Sequence, residues 1–133
     1  MTLAERCGAQ SPARRAACAA LLERVQREGL AFVRVAWADL HGTMRGKTLV
    51  LPGPALEAAL NEGIGMVSTV LLKDSADRTA FKVFEPGALA ALPGFGSANN
   101  LLLLPDPTSF QVLPWAPDTG WLRAEPFWDD GSP

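Results

Sequence analysis

Apolar residues alternate with other residues between positions 33 and 38, which is the two-residue period of a strand with one buried face. The apolar side of this alternation carries Val33, Val35 and Trp37. A second extended run, residues 47–51, follows the His41-Gly42 turn. Because the connection is short, the two runs are predicted to form an antiparallel hairpin.

Helical spacing of apolar residues precedes and follows this hairpin. Ser11 and Pro12 are typical of the N-cap and first position of a helix, and Gly29 is typical of the residue just beyond its last turn. Between them, apolar residues three and four positions apart form one stripe: Cys18, Leu21, Leu22 and Val25. After Pro54 the same spacing predicts a second helix that ends near Gly63, with three residues facing inward: Leu56, Ala59 and Leu60.

The second half of the chain is predicted to contain strands at 65–72, 101–104, 110–115 and 121–128. The run 101–104 is apolar throughout, which indicates a strand covered on both faces. Residues 73–100 are predicted to be mostly loop, because five residues interrupt them: Pro86, Gly87, Pro93, Gly94 and Gly96.

Helix, hairpin, helix and several further strands form an α+β order. The sequence therefore predicts a β-grasp-like mixed sheet of about five or six strands packed against one or two helices. A length of 133 residues fits one domain, which we place at residues 11–128. Residues 1–10 are predicted to be a flexible start, and residues 129–133 the beginning of a linker.

Composition excludes several classes of partner. The formal net charge of -2 provides no basic surface for nucleic acid or for anionic lipid. The first 20 residues show no apolar leader, and the longest run of large apolar residues is too short for a membrane span. Cytoplasmic localisation is therefore expected, and Cys7 and Cys18 are predicted to be free thiols.

The turn between the first two strands carries the candidate chemistry: Asp39, His41, Arg45 and Lys47. His41 could serve as a general base or metal ligand. It is the single histidine, and a zinc site needs three or four ligands, so a turn or packing role is favoured. A hydrolase that uses Asp39 and His41 would lack a nucleophile motif.

The Arg45-Gly46-Lys47 motif is followed by a strand, whereas phosphate-binding loops lead into a helix. A structural or interface role is therefore predicted for this motif rather than nucleotide binding. A second polar group, Asp74, Ser75, Asp77 and Arg78, is first of all interpreted as a solvated loop. Trp115 and Trp121 are expected to mark a surface that an assembly covers.

Several motifs, taken in order, resemble the N-terminal domain of the glutamine synthetase family of ligases. Residues 33–47, with Trp-Ala-Asp-Leu-His-Gly and Arg-Gly-Lys, are similar to that domain's opening hairpin. Leu-Pro-Asp-Pro at 104–107 and Leu-Pro-Trp at 113–115 are similar to its closing strands, and the Asp-Gly-Ser-Pro ending resembles the passage into the catalytic domain. The resemblance covers residues 17–133, and the Arg-Gly-Lys form looks more like the γ-glutamyl-amine and γ-glutamyl-polyamine ligase branch.

This resemblance implies an ATP-dependent ligase that joins glutamate to ammonia or an amine through a γ-glutamyl phosphate. It assigns ATP and Mg²⁺ or Mn²⁺ to a larger catalytic domain, so this chain is expected to hold no cofactor or metal and to be inactive alone. The expected partner is the catalytic domain of the same or a neighbouring subunit, with a possible homo-oligomer.

The resemblance also implies a loop that binds ammonium or an amine. By position after the third predicted strand, Asp74 and Ser75 are the candidates for this loop. An alternative from a different class is a free-standing β-grasp interaction module that binds or modulates a full-length paralogue.

Overall fold

The computed structural model describes residues 1–93, 95 and 99–133. Gly94 and Gly96, two of the residues expected to interrupt the long loop, lie outside this part of the chain. The helices are α1 (Leu3–Arg6), α2 (Pro12–Arg27) and α3 (Ala55–Glu62). The strands are β1 (Phe32–Ala38), β2 (Met44–Val50), β3 (Ile64–Val67), β4 (Asn100–Pro105), β5 (Gln111–Leu113) and β6 (Ala116–Phe127). Two 3-10 turns span Ser68–Leu72 and Pro107–Ser109.

Strand β6 organises a mixed six-stranded sheet with the order β2-β1-β6-β4-β3. Its first half pairs in parallel with β1 and antiparallel with β5, and its second half pairs antiparallel with β4. Lys47 of β2 donates a hydrogen bond to the carbonyl of Gly65 in β3, which joins the two outermost strands of this order. The sheet is therefore curled into a half-barrel, and the predicted antiparallel pairing of β1 with β2 is confirmed.

The main core lies between the inner face of this sheet and helices α2 and α3. The three residues predicted to face inward from β1 are buried, as are the three predicted for α3. Leu103 of β4 and Leu122 of β6 complete the centre, with no exposed surface. The predicted fold class, α+β with a mixed sheet of five or six strands against helices, is confirmed, and the arrangement is β-grasp-like.

The predicted ends of α2 are also confirmed. The side-chain oxygen of Ser11 accepts a hydrogen bond from the backbone N–H of Arg14, as an N-cap residue does. Gly29 follows the C-cap with φ +62, a backbone conformation that favours glycine. No helix in the described part of the chain combines the length and the apolar character needed to cross a membrane.

Two strand predictions differ most from the structure in their bounds. The third strand ends at Val67, and the apolar residues after it form a 3-10 turn instead of extending the strand. The last strand begins at Ala116 rather than Trp121, because Thr119 and Gly120 pair with β1, and Ala116 and Gly120 pair with β5. Gly120 permits this pairing to lie against the ring of Phe110, which a Cβ at that position would overlap.

The N-terminal residues also differ from the flexible start that the sequence predicts. Thr2 and Glu5 form a reciprocal capping box at the start of α1. Leu3 and Ala4 have no exposed surface and form a second apolar cluster with Leu104 of β4. This cluster covers the second face of β4. The wholly apolar run 101–104 had predicted a strand covered on both faces.

Gly63 closes α3 in a conformation that a larger residue cannot adopt without strain. Its φ is +72, and a Cβ there would lie 2.7 Å from Cδ2 of Leu3. We therefore expect Gly63→Ala to lower the free energy of unfolding by about 2 kcal/mol, measured by urea titration. The matched control is Gly65→Ala, because a Cβ at Gly65 meets no atom within 4 Å. Equal losses for the two variants would contradict this explanation.

Candidate functional site

The structure brings together two polar segments that the sequence shows separately: the turn of the β1–β2 hairpin and the loop that follows the first 3-10 turn. Five residues form the contact, and we call them the hairpin–loop cluster: Asp39, His41, Arg45, Lys73 and Asp77. The guanidinium of Arg45 lies at its centre. Nε of Arg45 donates to Oδ2 of Asp39 at 2.7 Å, and Nη2 donates to Oδ1 of Asp77 at 2.5 Å.

Asp39 is the buried member of the cluster, with a side chain only 2% exposed. Its Oδ1 accepts hydrogen bonds from the backbone N–H groups of His41 and Thr43, each at 2.9 Å. These bonds fix the hairpin turn and orient Oδ2 toward Arg45. The bond from Arg45, assisted by the two backbone N–H groups, holds the pKa of Asp39 below its ordinary value.

His41 joins the hairpin to the loop through its ring. Nε2 of His41 lies 2.8 Å from the carbonyl oxygen of Lys73 and donates to it, because a carbonyl can only accept. The Asp39 carboxylate binds the backbone N–H of His41 and the side chain of Arg45. In this arrangement His41 packs and links two segments of the chain.

The loop side of the cluster centres on Asp77. Lys73 lies 3.3 Å from the same carboxylate oxygen that Arg45 binds, and residues 73 and 79 form an isolated backbone bridge. Asp77 has φ +61, in the left-handed region that non-glycine residues rarely adopt. Arg45 and then Lys73 lower the pKa of Asp77, so it is held as a carboxylate.

Asp74 and Ser75, the residues predicted to bind ammonium or an amine, lie in the same loop. Oδ1 of Asp74 accepts from the backbone N–H groups of Ala76 and Arg78, and Oδ2 accepts from Nε of Arg78 at 3.0 Å. Both carboxylate oxygens are therefore engaged within the loop, while Ser75 is exposed.

The assignment of Asp74 and Ser75 was made by their position after the third strand, so it depends on where β3 ends. Because β3 ends at Val67, the residues directly after the strand are Ser68 and Thr69, and Asp74 follows only after the 3-10 turn. Ser68 is fully buried, and its Oγ is among the buried polar atoms without a hydrogen-bond partner in the described structure. The assignment of Asp74 and Ser75 to a ligand therefore remains a prediction.

The Arg45-Gly46-Lys47 motif is engaged within the chain. Arg45 and Lys47 lie at alternate positions of β2, opposite Trp37 and Val35, and both side chains are bonded as described above. A Cβ at Gly46 would overlap the carbonyl oxygen of Val35, which explains the glycine between the two charged residues.

Within residues 1–93, 95 and 99–133, no group of three or more histidine, cysteine, aspartate or glutamate side chains could hold a metal ion. Cys7 and Cys18 are free and half-buried, and burial raises the pKa of the Cys18 thiol.

Sequence reasoning identified Asp39, His41, Arg45 and the loop around Asp77, but it did not relate them and it omitted Lys73. In the sequence, the signal for the hairpin–loop cluster is the polar composition of both segments. Arg45 and Asp77 are 32 residues apart in the sequence, so no local sequence pattern predicts their contact.

The lowered pKa of Asp39 predicts a pH dependence of stability. A carboxyl whose folded pKa is depressed stabilises the fold at pH above its ordinary value of 3.8, and that contribution is lost as pH falls through the folded value. We therefore expect wild type to be more stable than Asp39→Asn in urea titrations at about pH 7, with the difference closing toward about pH 2. A difference that is the same at both pH values would contradict this role for the Asp39 charge.

Known proteins resemble the chain in both sequence and fold. No family profile matches it. The γ-glutamylanilide synthase of an Acinetobacter species is 34% identical over 116 residues, covering 85% of this chain and 23% of the relative. A glutamine synthetase of Mycobacterium tuberculosis H37Rv is 29% identical over 120 residues, covering 85% of this chain and 22% of the relative.

Solved structures give the same result. A complex of GmaS with ADP superposes with a TM-score of 0.56 at 25% identity, covering 85% of this chain and 21% of the other. A crystal structure described as a novel glutamine synthase homolog gives a TM-score of 0.54 at 28% identity, covering 78% and 23%. The matched proteins are thus four to five times longer than the segment they share with this chain.

Sequence relatives and structural neighbours agree on one family, and each is matched along most of this chain. Along 85% of its length the chain is therefore similar to members of the glutamine synthetase family, nearer the γ-glutamylanilide synthase and GmaS members, and it spans about a fifth of their length.

Proposed function

We propose that this chain acts as the N-terminal domain of a glutamine synthetase-like ligase, which joins glutamate to ammonia or an amine at the expense of ATP. Its role is to form one wall of the active site at the boundary with a catalytic domain of the same or a neighbouring subunit. ATP and Mg²⁺ or Mn²⁺ are held by that larger domain. The chain alone is therefore inactive.

The observation that carries this proposal is the pattern of coverage. Relatives named as γ-glutamylanilide synthase or glutamine synthetase are matched over 85% of this chain but over only 20–23% of their own length. A segment that small, folded around its own core, corresponds to one domain of a larger enzyme. The γ-glutamylanilide synthase relative supports an amine, as well as ammonia, as the acceptor.

The outer face of the sheet supports a role at a domain boundary. Helices α2 and α3 cover the inner face, whereas the outer positions of β1 and β2 expose large apolar side chains. Phe32 pairs with Val50 on this outer face, and Met44 lies at the other end of the hairpin. Val50 is 66% exposed and Met44 is 54% exposed, which is typical of a surface that another domain covers.

The test is reconstitution in two parts. We would co-express this chain with the Acinetobacter γ-glutamylanilide synthase from which the matched segment has been deleted. Purified material would then be supplied with ATP, Mg²⁺, glutamate and either ammonia or aniline. We expect γ-glutamyl product from the mixture and none from either part alone. Enzyme-like phosphate release by this chain alone would overturn the proposal, as would a mixture that forms neither complex nor product.

A variant on the outer face sharpens this experiment. Val50→Arg places a charge on the apolar surface and should abolish complex formation while leaving the chain folded, because Val50 is exposed. Lys82→Gln, on the exposed loop, is the matched surface control and should leave reconstitution intact. Equal effects of the two variants would remove the outer face from the proposed interface.

The alternative function is an interaction module that binds an intact paralogue. The same purified chain would be mixed with full-length γ-glutamylanilide synthase and examined by analytical ultracentrifugation. Binding to the intact enzyme, without reconstitution of the deleted one, would favour the module over the domain.

A further inference from the structure

We propose that Arg45 is a positioning residue that holds the loop containing Asp74 and Ser75 against the β1–β2 hairpin, so that residues 73–79 are fixed or released as one unit. The tethering is argued from contacts within this chain. Only the use of the loop for an amine substrate rests on the proposed function.

The loop belongs to a part of the chain that is separate from the main core. Leu72, Val83 and Leu89 are buried in a small apolar cluster of their own, against which Leu92 and Phe95 pack. The described contact of this segment with the end of the chain is an edge-to-face pair of Phe95 and Trp128, with ring centroids 5.2 Å apart. Segments with small independent cores open more readily than the domain as a whole.

At the end of this segment away from Phe95, the β1–β2 hairpin holds the loop through two contacts. Arg45 reaches Asp77, and the ring of His41 reaches the carbonyl of Lys73. Arg45 is itself anchored, because Asp39 fixes its Nε and Asp39 is fixed in turn by the backbone of the turn. A planar guanidinium can bind two carboxylates in this way, whereas a lysine ammonium has no fixed fork.

The backbone of the loop needs this support. Asp77 adopts φ +61, and its carboxylate is the group that both Arg45 and Lys73 bind. Because an aspartate in this region is less favourable than in ordinary loop conformations, the charge contacts select the observed turn. In this conformation the side chain of Asp74 accepts hydrogen bonds from the backbone N–H groups of Ala76 and Arg78. These bonds orient Asp74 next to the exposed Ser75.

The test is amide hydrogen exchange on the purified chain, read at the three amides that close the loop: Asp74 donates to the carbonyl of Arg78, Asp77 to that of Asp74, and Ala80 to that of Leu72. We expect Arg45→Gln to speed exchange at these three amides about tenfold, while exchange at Val33 and Val35 in β1 stays unchanged. Asp77→Asn should act in the same direction, and it leaves the pair of Asp39 with Arg45 intact. Arg45→Lys should give an intermediate rate, because the charge remains and the fork is lost.

The matched control is Lys82→Gln, which removes an ion pair with Glu85 in the same segment and not one with the hairpin. It should leave exchange at Asp74, Asp77 and Ala80 unchanged. Added salt should speed loop exchange in wild type more than in Arg45→Gln, since Asp77 is 58% exposed and its ion pair is open to screening.

Three results would overturn the proposal: no change in the loop for Asp77→Asn, an equal rise in β1, or the same effect from Lys82→Gln. If Arg45→Gln does not fold, Asp77→Asn and the salt series decide the question. None of these readouts uses ligase activity. The tethering proposal can therefore fail while the proposed function holds, and the proposed function can fail while the tethering holds.

Discussion

Replacing Leu3 by Ala is expected to lower the free energy of unfolding by about 2–4 kcal/mol, as measured by urea titration. Leu3 has no exposed surface, although it lies at the third position of the chain. Its side chain packs in the cluster with Ala4 and Leu104 and contacts the turn at Gly63. Truncation to Ala removes buried methyl groups and leaves a cavity that α1 and β4 can close only in part.

The matched control for Leu3 is Met1→Ala. Met1 is 89% exposed, so its truncation should change stability by no more than about 0.5 kcal/mol. If residues 1–10 were a flexible start, as the sequence predicts, both substitutions would be equally mild. The pair of variants therefore separates a packed N-terminus from a frayed one.

Replacing Arg14 by Ala should be the second most disruptive change, with an expected loss of about 2–3 kcal/mol. Nη2 of Arg14 donates to the carbonyl oxygens of Leu60 at 2.8 Å and Pro105 at 2.9 Å. Leu60 lies in the last turn of α3, where carbonyl groups lack helical partners. One side chain of α2 thus stabilises the end of another helix and the end of β4, and its removal leaves both carbonyls unpaired.

The next residue supplies the control for Arg14. Arg15 has the same chemistry and lies on the exposed side of α2, so Arg15→Ala should change stability by about 0.5 kcal/mol or less. Similar losses for the two variants would mean that the charge of the helix matters rather than the two hydrogen bonds. Arg14→Lys should recover part of the loss, because an ammonium can reach one carbonyl but does not reproduce the guanidinium geometry.

The two proposals concern different parts of the domain. The outer face of β1 and β2 is the surface proposed to meet the catalytic domain, and the hairpin–loop cluster is proposed to fix the loop with Asp74 and Ser75. Both depend on the same hairpin, whose successive positions point to opposite faces of the sheet. Val50 therefore serves the outer face while Arg45, from the same strand, serves the cluster.

Local signals in the sequence predicted most of the elements. The cap at Ser11, the left-handed position at Gly29 and the alternation from Val33 to Trp37 each depend on neighbouring residues, and the structure confirms all three. The apolar run 101–104 was correctly interpreted as a strand covered on both faces. What covers its second face is Leu3, and no local pattern connects those two positions.

The bounds of β3 and β6 show where local reasoning fails. The residues after Val67 are apolar enough to continue a strand, but the described pairing with β4 ends at Val67 and Asn100, and residues 68–72 form a 3-10 turn. Residues 116–120 lack a clear alternation, yet they extend β6 because β1 and β5 provide backbone partners on both sides. Strand length is decided by available hydrogen-bond partners as well as by the propensity of the residues.

By itself, the sequence determined the α+β class, the hairpin, the two longer helices with their inward faces, and the resemblance to one ligase family, because each depends on spacing along the chain. Only the tertiary structure decided the parallel pairing of β1 with β6, the packing of α1 on β4, the two carbonyls bound by Arg14 and the contact of Arg45 with Asp77. These join residues far apart in the chain, and backbone or charge pairing at such separations has no periodicity to reveal it. It is fixed when the sheet curls and brings those residues together.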